Sequence, residues 1–171
     1  MSIDIIGIAD KADALVKKAG TSNPRSLAES IGIDIIRCGF KRQNGAYKIV
    51  LGNRFIFVKS DLDEQMKNIV ILHEIGHDVL HRDEAVLSGG FREFNIFGNL
   101  DVRMECEANI FAAQAQLPDD VFLEYVNMGY SVQQVAAAMN TDINLAEFKI
   151  NILSEKGYPL GKVENNNRFL K

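Results

Sequence analysis

The chain has 171 residues, of which 47% are hydrophobic and 25% are charged, a composition typical of a folded domain with a substantial core. The formal net charge of −4 argues against nonspecific nucleic-acid binding, since proteins with that function usually carry an excess of positive charge. Two cysteines do not form a disulfide framework, the N-terminus lacks a basic leader, and no apolar run approaches the roughly 20 residues of a membrane span. We therefore expect a cytoplasmic protein that does not enter a membrane.

The N-terminal third predicts two helices followed by a small sheet. Apolar residues at helical spacing predict a helix over residues 5–19 that ends at Gly20, and Asn23-Pro24 predicts the start of a short second helix through Ile31. Residues 33–59 are rich in β-branched and aromatic residues. Asn44-Gly45 and Gly52-Asn53 are typical of hairpin turns, so we expect two or three antiparallel strands here.

The rest of the chain is predicted to be helical. Ser60 and Asp63 approximate a capping pattern, which predicts a helix that begins at Ser60 and continues into the histidines. Residues 88–100 are predicted to be a glycine-rich loop, whose phenylalanines could pack or form a lip beside a site: Phe91, Phe94 and Phe97. Further helices are expected over 101–116, 118–126, 131–139 and 142–155. The sequence thus predicts one α+β domain over residues 1–156 with a small antiparallel sheet and several C-terminal helices, and a flexible tail over 157–171.

All three histidines lie within nine residues, and two of them form the pattern His73-Glu74-Ile75-Gly76-His77. On a helix, residues four apart lie on one face, so His73 and His77 can bind the same zinc ion. Glu74 lies beside them, where it can act as general base toward the water that zinc activates. The motif predicts a catalytic zinc site.

A catalytic zinc site needs a third protein ligand, and His81 is two turns from His73, too far away on a straight helix. The predicted helix over 101–116 offers Glu105, Cys106 and Glu107. Glu105 lies closer to the centre of the small apolar face of that helix, so we favour Glu105 over Glu107 as the ligand and expect Cys106 to pack. Asn109 follows one turn later and could orient a ligand by a hydrogen bond, and His81 could do the same or be structural.

The two motifs HEIGHDVLH (73–81) and ECEANIFAAQAQLP (105–118) resemble those of the ImmA/IrrE family of metallopeptidases. The resemblance spans roughly residues 5–155 and implies a zincin-like fold, with Glu105 as the third, gluzincin-like zinc ligand. The chain departs from the family at Gln114 to Gln116, where the family usually has a more apolar stretch. Short members of the family are implied to inactivate helix-turn-helix repressors of phages and mobile elements inside the cell.

The sequence therefore predicts a zinc metallopeptidase that hydrolyses a specific intracellular protein, most directly a helix-turn-helix repressor. The alternative is a partner that inactivates a repressor or an antitoxin by holding it without cleavage, but Glu74 favours catalysis. Direct DNA binding is not expected, because the helices after residue 131 carry too little positive charge.

Substrate could join the sheet edge as an added strand, and we expect residues 54–59 (RFIFVK) to form that edge. Residues 35–60 contain six basic residues and no acidic residue, which indicates either a docking surface for an acidic partner or ordinary protection of an edge strand. Six side chains could stabilise the oxyanion, and the sequence does not decide among them: Tyr47, Tyr125, Tyr130, Tyr158, Arg103 and His81.

Overall fold

The computed structural model describes residues 2–87 and 99–161, which form seven helices and one three-stranded sheet. In chain order the elements are α1 (Ile5–Ala19), α2 (Pro24–Ser30), β1 (Ile33–Cys38), β2 (Gly45–Val50), β3 (Asn53–Lys59), α3 (Glu64–Leu87), α4 (Asn99–Gln116), α5 (Asp119–Asn127), α6 (Val132–Ala138) and α7 (Ile143–Glu155). The α+β class predicted from the sequence is confirmed. Across residues 2–87 and 99–161, no helix combines the length and hydropathy that crossing a membrane requires.

The first two helices begin and end where local sequence signals predict. The Asp4 carboxylate accepts a hydrogen bond from the Gly7 amide (2.9 Å), and α1 ends at Gly20, which has a φ of 67°. Asn23 caps α2 in the same way, with Pro24 at its first position. These ends depend on contacts within a few residues, which is why sequence alone predicts them.

The sheet differs from the predicted one, because its strand order is β1-β3-β2. β3 pairs with β2 in antiparallel fashion but with β1 in parallel, so the sheet is mixed. The prediction that residues 54–59 form the edge is wrong, since β3 lies in the centre. Asn44-Gly45 is not a hairpin turn either: it ends the crossover from β1 to the far edge, and the hairpin turn between β2 and β3 is Leu51-Gly52.

Helix α3 begins at Glu64, four residues later than predicted. Asp63 is the capping residue, because its carboxylate accepts a hydrogen bond from the Met66 amide (2.7 Å). The Ser60 hydroxyl instead donates to the Cys38 carbonyl (2.9 Å) and so joins the end of β3 to the end of β1. The parallel pairing of these strands, which sequence did not predict, therefore explains the later start.

Helix α3 is the centre of the molecule, packed between the sheet and α4. Every residue from Ile69 to Asp78 is buried. A side chain at Gly76 would lie 3.2 Å from the Ala108 backbone and 3.2 Å from Cβ of Phe111. Gly76 thus allows α3 and α4 to approach closely, which brings the glutamates of α4 within reach of the histidines.

Two predicted segments lie wholly or partly outside the described residues. The aromatic residues Phe91, Phe94 and Phe97 fall in the undescribed part of the chain, as does the predicted tail from residue 162 onward. Nearer the helix, Leu160 packs against the core, and its carbonyl accepts a hydrogen bond from the Ser154 hydroxyl (2.6 Å).

Candidate metal centre

Two histidines and one glutamate converge between α3 and α4. His73 and His77 lie one turn apart, and their Nε2 atoms are 3.1 Å from each other. Glu105 of α4 faces both rings, with carboxylate oxygens 3.3 Å from Nε2 of His73 and 3.4 Å from Nε2 of His77. In the described part of the chain, this is the group of side chains whose donor atoms could hold a metal ion.

The spacing between the two imidazole nitrogens and the Glu105 carboxylate fits a zinc ion. Two ligand atoms at about 2.0–2.1 Å from zinc and at the tetrahedral angle lie about 3.3 Å apart. The two Nε2 atoms are 3.1 Å apart, and each lies at a similar distance from one oxygen of Glu105: 3.3 Å from His73 to Oε2 and 3.4 Å from His77 to Oε1. Two imidazoles and a carboxylate are also a donor set that zinc accepts, so both geometry and chemistry suit this metal.

The remaining ring nitrogens of the two histidines have hydrogen-bond partners. Nδ1 of His73 is 2.8 Å from Oδ1 of Asn109, and Nδ1 of His77 is 3.1 Å from Nδ1 of His81. Both residues that the sequence singled out as possible orienting groups therefore contact a histidine of the motif. Glu107, the alternative ligand, faces away from the convergent group and contacts His81 (2.8 Å).

The electrostatics of the site suit a cation. Burial raises the pKa of the Glu105 carboxyl, but hydrogen bonds with His73 and His77 outweigh burial and hold that pKa well below its usual range. Burial lowers the pKa of His77 to about 4, so that its ring is neutral, as a metal ligand must be. Burial opposes protonation of His73 too, yet the nearby Glu105 carboxylate raises the pKa of His73 overall. The Glu105 carboxylate therefore favours positive charge at this point, as it would favour a metal cation.

Glu74 lies beside this group, against the first residues of β2. Burial and the nearby Glu105 carboxylate raise its pKa, opposed by His73 and by a hydrogen bond from the Tyr47 amide, to a net value of about 7. A Cβ atom added at Gly45 would lie only 2.8 Å from Oε1 of Glu74. Gly45 therefore makes room for this carboxylate, a role that the sequence analysis missed by assigning Gly45 to a turn.

A second buried network, which the sequence analysis also missed, joins α3 to the sheet. Asp78 is 1% exposed, and its carboxylate accepts hydrogen bonds from the Tyr47 hydroxyl (2.5 Å), from Arg54 (2.8 Å) and from Arg82 (2.6 Å). Burial and the Asp78 carboxylate raise the pKa of Tyr47 well above its usual range, so the phenol stays protonated. Asp78 directly follows His77 of the motif, and this position in the sequence could have indicated a role for its carboxylate.

Several of the predicted oxyanion candidates are engaged away from the convergent group. The Tyr47 hydroxyl donates to Asp78, Arg103 donates to Glu107, and the rings of Tyr125 and Tyr130 contact each other. Two of the six basic residues of the strand region are paired with acids, Arg54 with Asp78 and Lys59 with Asp61.

Comparison with known proteins connects this arrangement to one family. A sequence model of the Peptidase M78 family, described as an IrrE N-terminal-like domain, matches residues 28–151. The chain is 33% identical over 136 residues to an uncharacterized immunity region protein 2 of Bacillus phage phi105, which covers 79% of this chain and 84% of that protein. It is 26% identical over 148 residues to the metallopeptidase ImmA of Bacillus subtilis (strain 168), covering 85% of each chain.

Proposed function

The chain belongs to the Peptidase M78 family and is a metallopeptidase with the zincin-like fold of that family, and we propose that it is a zinc-dependent endopeptidase acting on a helix-turn-helix repressor. The main support for metal dependence is that His73, His77 and Glu105 converge at separations that suit zinc. These three residues are the proposed ligands. Zinc bound there would supply Lewis-acid chemistry, polarising the scissile carbonyl and lowering the pKa of water.

We assign the role of general base to Glu74. Its carboxyl group has a pKa of about 7, which suits a group that accepts a proton near neutral pH and then donates it to the leaving amine. The hydrogen bond from the Tyr47 amide ties this carboxylate to β2. A protein that only held its partner would need the two histidines but not an acid between them.

The outer edge of β2 is the proposed binding site for an extended substrate segment, in place of β3. In an antiparallel pair, alternate residues direct their backbone groups at the partner strand. The Asn44 carbonyl accepts a hydrogen bond from the Lys59 amide (2.8 Å), so the backbone groups of Gly45, Tyr47 and Ile49 point away from β3. Because the Tyr47 amide reaches Glu74, a strand added at this edge would pass beside the proposed general base.

The substrate class is inferred from the relatives. One relative is named for a phage immunity region and the other is named a metallopeptidase. Together with the resemblance to repressor-inactivating members of the family, these names favour a repressor as substrate, and hence action in the cytoplasm. A protease with such a target should be narrow in specificity, so we expect weak cleavage of a generic substrate such as casein.

The test compares wild type with Glu74→Gln, using the helix-turn-helix repressor encoded beside the gene as substrate. Metal content is measured by elemental analysis and cleavage by mass spectrometry of the products. We expect one zinc per chain in both proteins and cleavage by wild type alone, with the rate in Glu74→Gln lower by at least about 100-fold, because the variant keeps the shape of the side chain but loses the base.

An exposed glutamate on α5 provides the matched control: Glu124→Gln should cleave at the wild-type rate. Robust cleavage by Glu74→Gln would show that Glu74 is not the general base. If wild type and Glu74→Gln inactivate the repressor equally without cutting it, the protein works by binding and the endopeptidase proposal is wrong.

A further inference from the structure

A continuous chain of side chains leads from His77 to the surface of α4. Nδ1 of His77 meets Nδ1 of His81 (3.1 Å), and Nε2 of His81 meets Oε2 of Glu107 (2.8 Å). The other oxygen of Glu107 accepts a hydrogen bond from Nε of Arg103 (2.7 Å). His81 is 4% exposed, whereas the Arg103 side chain is 40% exposed, so this series of hydrogen-bonded side chains begins in the core and ends at solvent.

The backbone of α3 departs from helical geometry at His81 itself, where φ is −130° and ψ is 22°. On a straight helix the ring of His81 would continue the row of His73 and His77. The kink instead places the ring between His77 of its own helix and Glu107 of α4. The irregular residue of the long helix is therefore the one that links the two helices beside the metal centre.

When the rings of His77 and His81 are neutral, the ionised carboxylate of Glu107 sets the donor and the acceptor of every hydrogen bond in this series of side chains. An ionised carboxylate only accepts hydrogen bonds, so Nε2 of His81 carries the proton and Nδ1 of His81 must accept. Nδ1 of His77 then donates, and the lone pair of His77 is left on Nε2, the atom that faces His73 and Glu105. Arg103 contributes by pairing with Glu107, whose ionised form it favours.

We propose that Glu107 and Arg103 are positioning residues that act through His81 to fix the ring orientation and the metal-binding tautomer of His77. The inference rests on the proposed function only in taking His77 as a metal ligand. His73 is oriented differently, through the neutral amide of Asn109, so the two histidines are held by independent means. The bond between His81 and the ionised Glu107 is the strong member of this series, because hydrogen bonds to ionised groups are about twice as strong as neutral ones.

The first measurement is zinc affinity of the full chain, determined by competition with a chromophoric chelator. We expect Glu107→Ala to weaken zinc binding about 10- to 100-fold, the usual effect of removing a group that orients a ligand. Glu107→Gln keeps an acceptor oxygen for His81 and should recover part of this loss, and Arg103→Ala should show a smaller loss than Glu107→Ala. Glu124→Ala, which removes an exposed carboxylate from α5, should bind zinc as wild type does.

The second measurement separates orientation from stability. The protein has only three histidines, so long-range nitrogen–proton NMR spectra of the metal-free protein report each tautomer, and the variants His73→Gln and His81→Gln together assign the three sets of signals. We expect the Nδ1-protonated tautomer for His77 in wild type and in Glu124→Ala, and a mixture of tautomers in Glu107→Ala. A merely structural role of Glu107 would not change the tautomer of His77.

The inference is overturned if Glu107→Ala or, should that variant not fold, Glu107→Gln and Arg103→Ala keep both the zinc affinity and the His77 tautomer of wild type. Failure of the proposed function has a different signature. In that case wild type binds zinc and shows the expected tautomer but leaves the repressor intact, and the effects of Glu107 and Arg103 on zinc binding remain measurable.

Discussion

The glycine at the start of β2 sets how closely this strand approaches Glu74. A Cβ atom at position 45 would lie 2.8 Å from Oε1 of Glu74 and 2.4 Å from Cγ1 of Val70. Contacts this short cannot persist, so either the strand or these side chains must move. The site thus depends on a residue that carries no chemistry of its own.

Gly45→Ala should therefore reduce cleavage much more than metal binding. We expect the rate of repressor cleavage to fall at least about tenfold, because Glu74 is displaced, and the free energy of unfolding to fall by about 1–3 kcal/mol from overpacking against Val70. Zinc affinity, measured by chelator competition, should stay within about twofold of wild type, since the atoms nearest to the added methyl group belong to Val70 and Glu74 and not to a proposed ligand.

Gly39→Ala is the matched control, because a Cβ atom there meets nothing within 4 Å. It should cleave and unfold as wild type does. Equal losses of zinc affinity and of cleavage in Gly45→Ala would show that the variant disturbs the whole site and would contradict a specific effect on Glu74.

At the residue scale, helical spacing predicted which side chains share a face of one helix, and it missed the contacts that depend on an irregular backbone. The four-residue spacing of His73 and His77 and the helical phase of Glu105 follow from helix geometry alone, and the structure brings these three together. The contact of His81 with Glu107 depends on a kink that no sequence signal indicated. Short-range periodicity specifies a face, and only tertiary packing specifies which faces meet.

The turn between β2 and β3 carries a local conflict between residue type and backbone. Both central residues have positive φ, Leu51 at 50° and Gly52 at 79°, as a two-residue hairpin turn requires. Glycine adopts this conformation readily, whereas leucine clashes with its own backbone. The leucine side chain is 96% exposed, so burial does not compensate for the strain.

Leu51→Asn should stabilise the protein by about 1 kcal/mol, because asparagine tolerates positive φ and Asn-Gly is a preferred sequence in such turns. Urea unfolding of the metal-free protein measures the change. Leu51→Ala removes the exposed side chain without relieving the backbone and should change the stability by less than about 0.5 kcal/mol. A Leu51→Asn variant that is no more stable than Leu51→Ala would argue against strain at this turn.

At the scale of elements, the sequence predicted the helices and strands well and the order of the strands poorly. Alternation and turn residues located three strands, but the same pattern permits a meander as well as the observed order β1-β3-β2. The parallel pairing of β1 with β3 joins Ile33 to Arg54, with the whole of β2 between them in the chain. A pairing between strands that are far apart in the chain cannot be inferred from the residues around either strand. This is why the central strand was predicted to be an edge.

At the scale of the whole molecule, a buried lysine ties the C-terminal helices to α4. Lys149 of α7 is fully buried, and its ammonium group donates to Gln114 of α4 (2.7 Å) and to the Asp119 carboxylate at the start of α5. Gln114 also donates to Asp13 of α1 (2.8 Å). Four helices thus meet at one polar cluster, which accounts for a glutamine where the family usually has an apolar residue.

Asp119→Asn should destabilise the protein by about 3 kcal/mol at pH 7, because it leaves the ammonium group of Lys149 buried without its charged partner. Urea unfolding measures this loss. Asp120→Asn, which changes the exposed neighbouring carboxylate, should alter the stability by less than about 0.5 kcal/mol. A small effect of Asp119→Asn would mean that Gln114 alone satisfies the buried lysine.

The pH dependence of the same variant provides an independent test. Burial raises the pKa of Asp119, but hydrogen bonds from Lys149, Lys156 and Gln114 outweigh burial and lower that pKa from 3.8 to about 2. Because the pKa is lower in the folded state, the stabilisation by Asp119 is complete above about pH 4 and is lost as the pH falls through 2. The difference in unfolding free energy between wild type and Asp119→Asn should therefore be constant from pH 7 to about pH 5 and shrink below pH 4. A difference that stays constant down to pH 2 would show that the carboxylate charge does not stabilise this cluster.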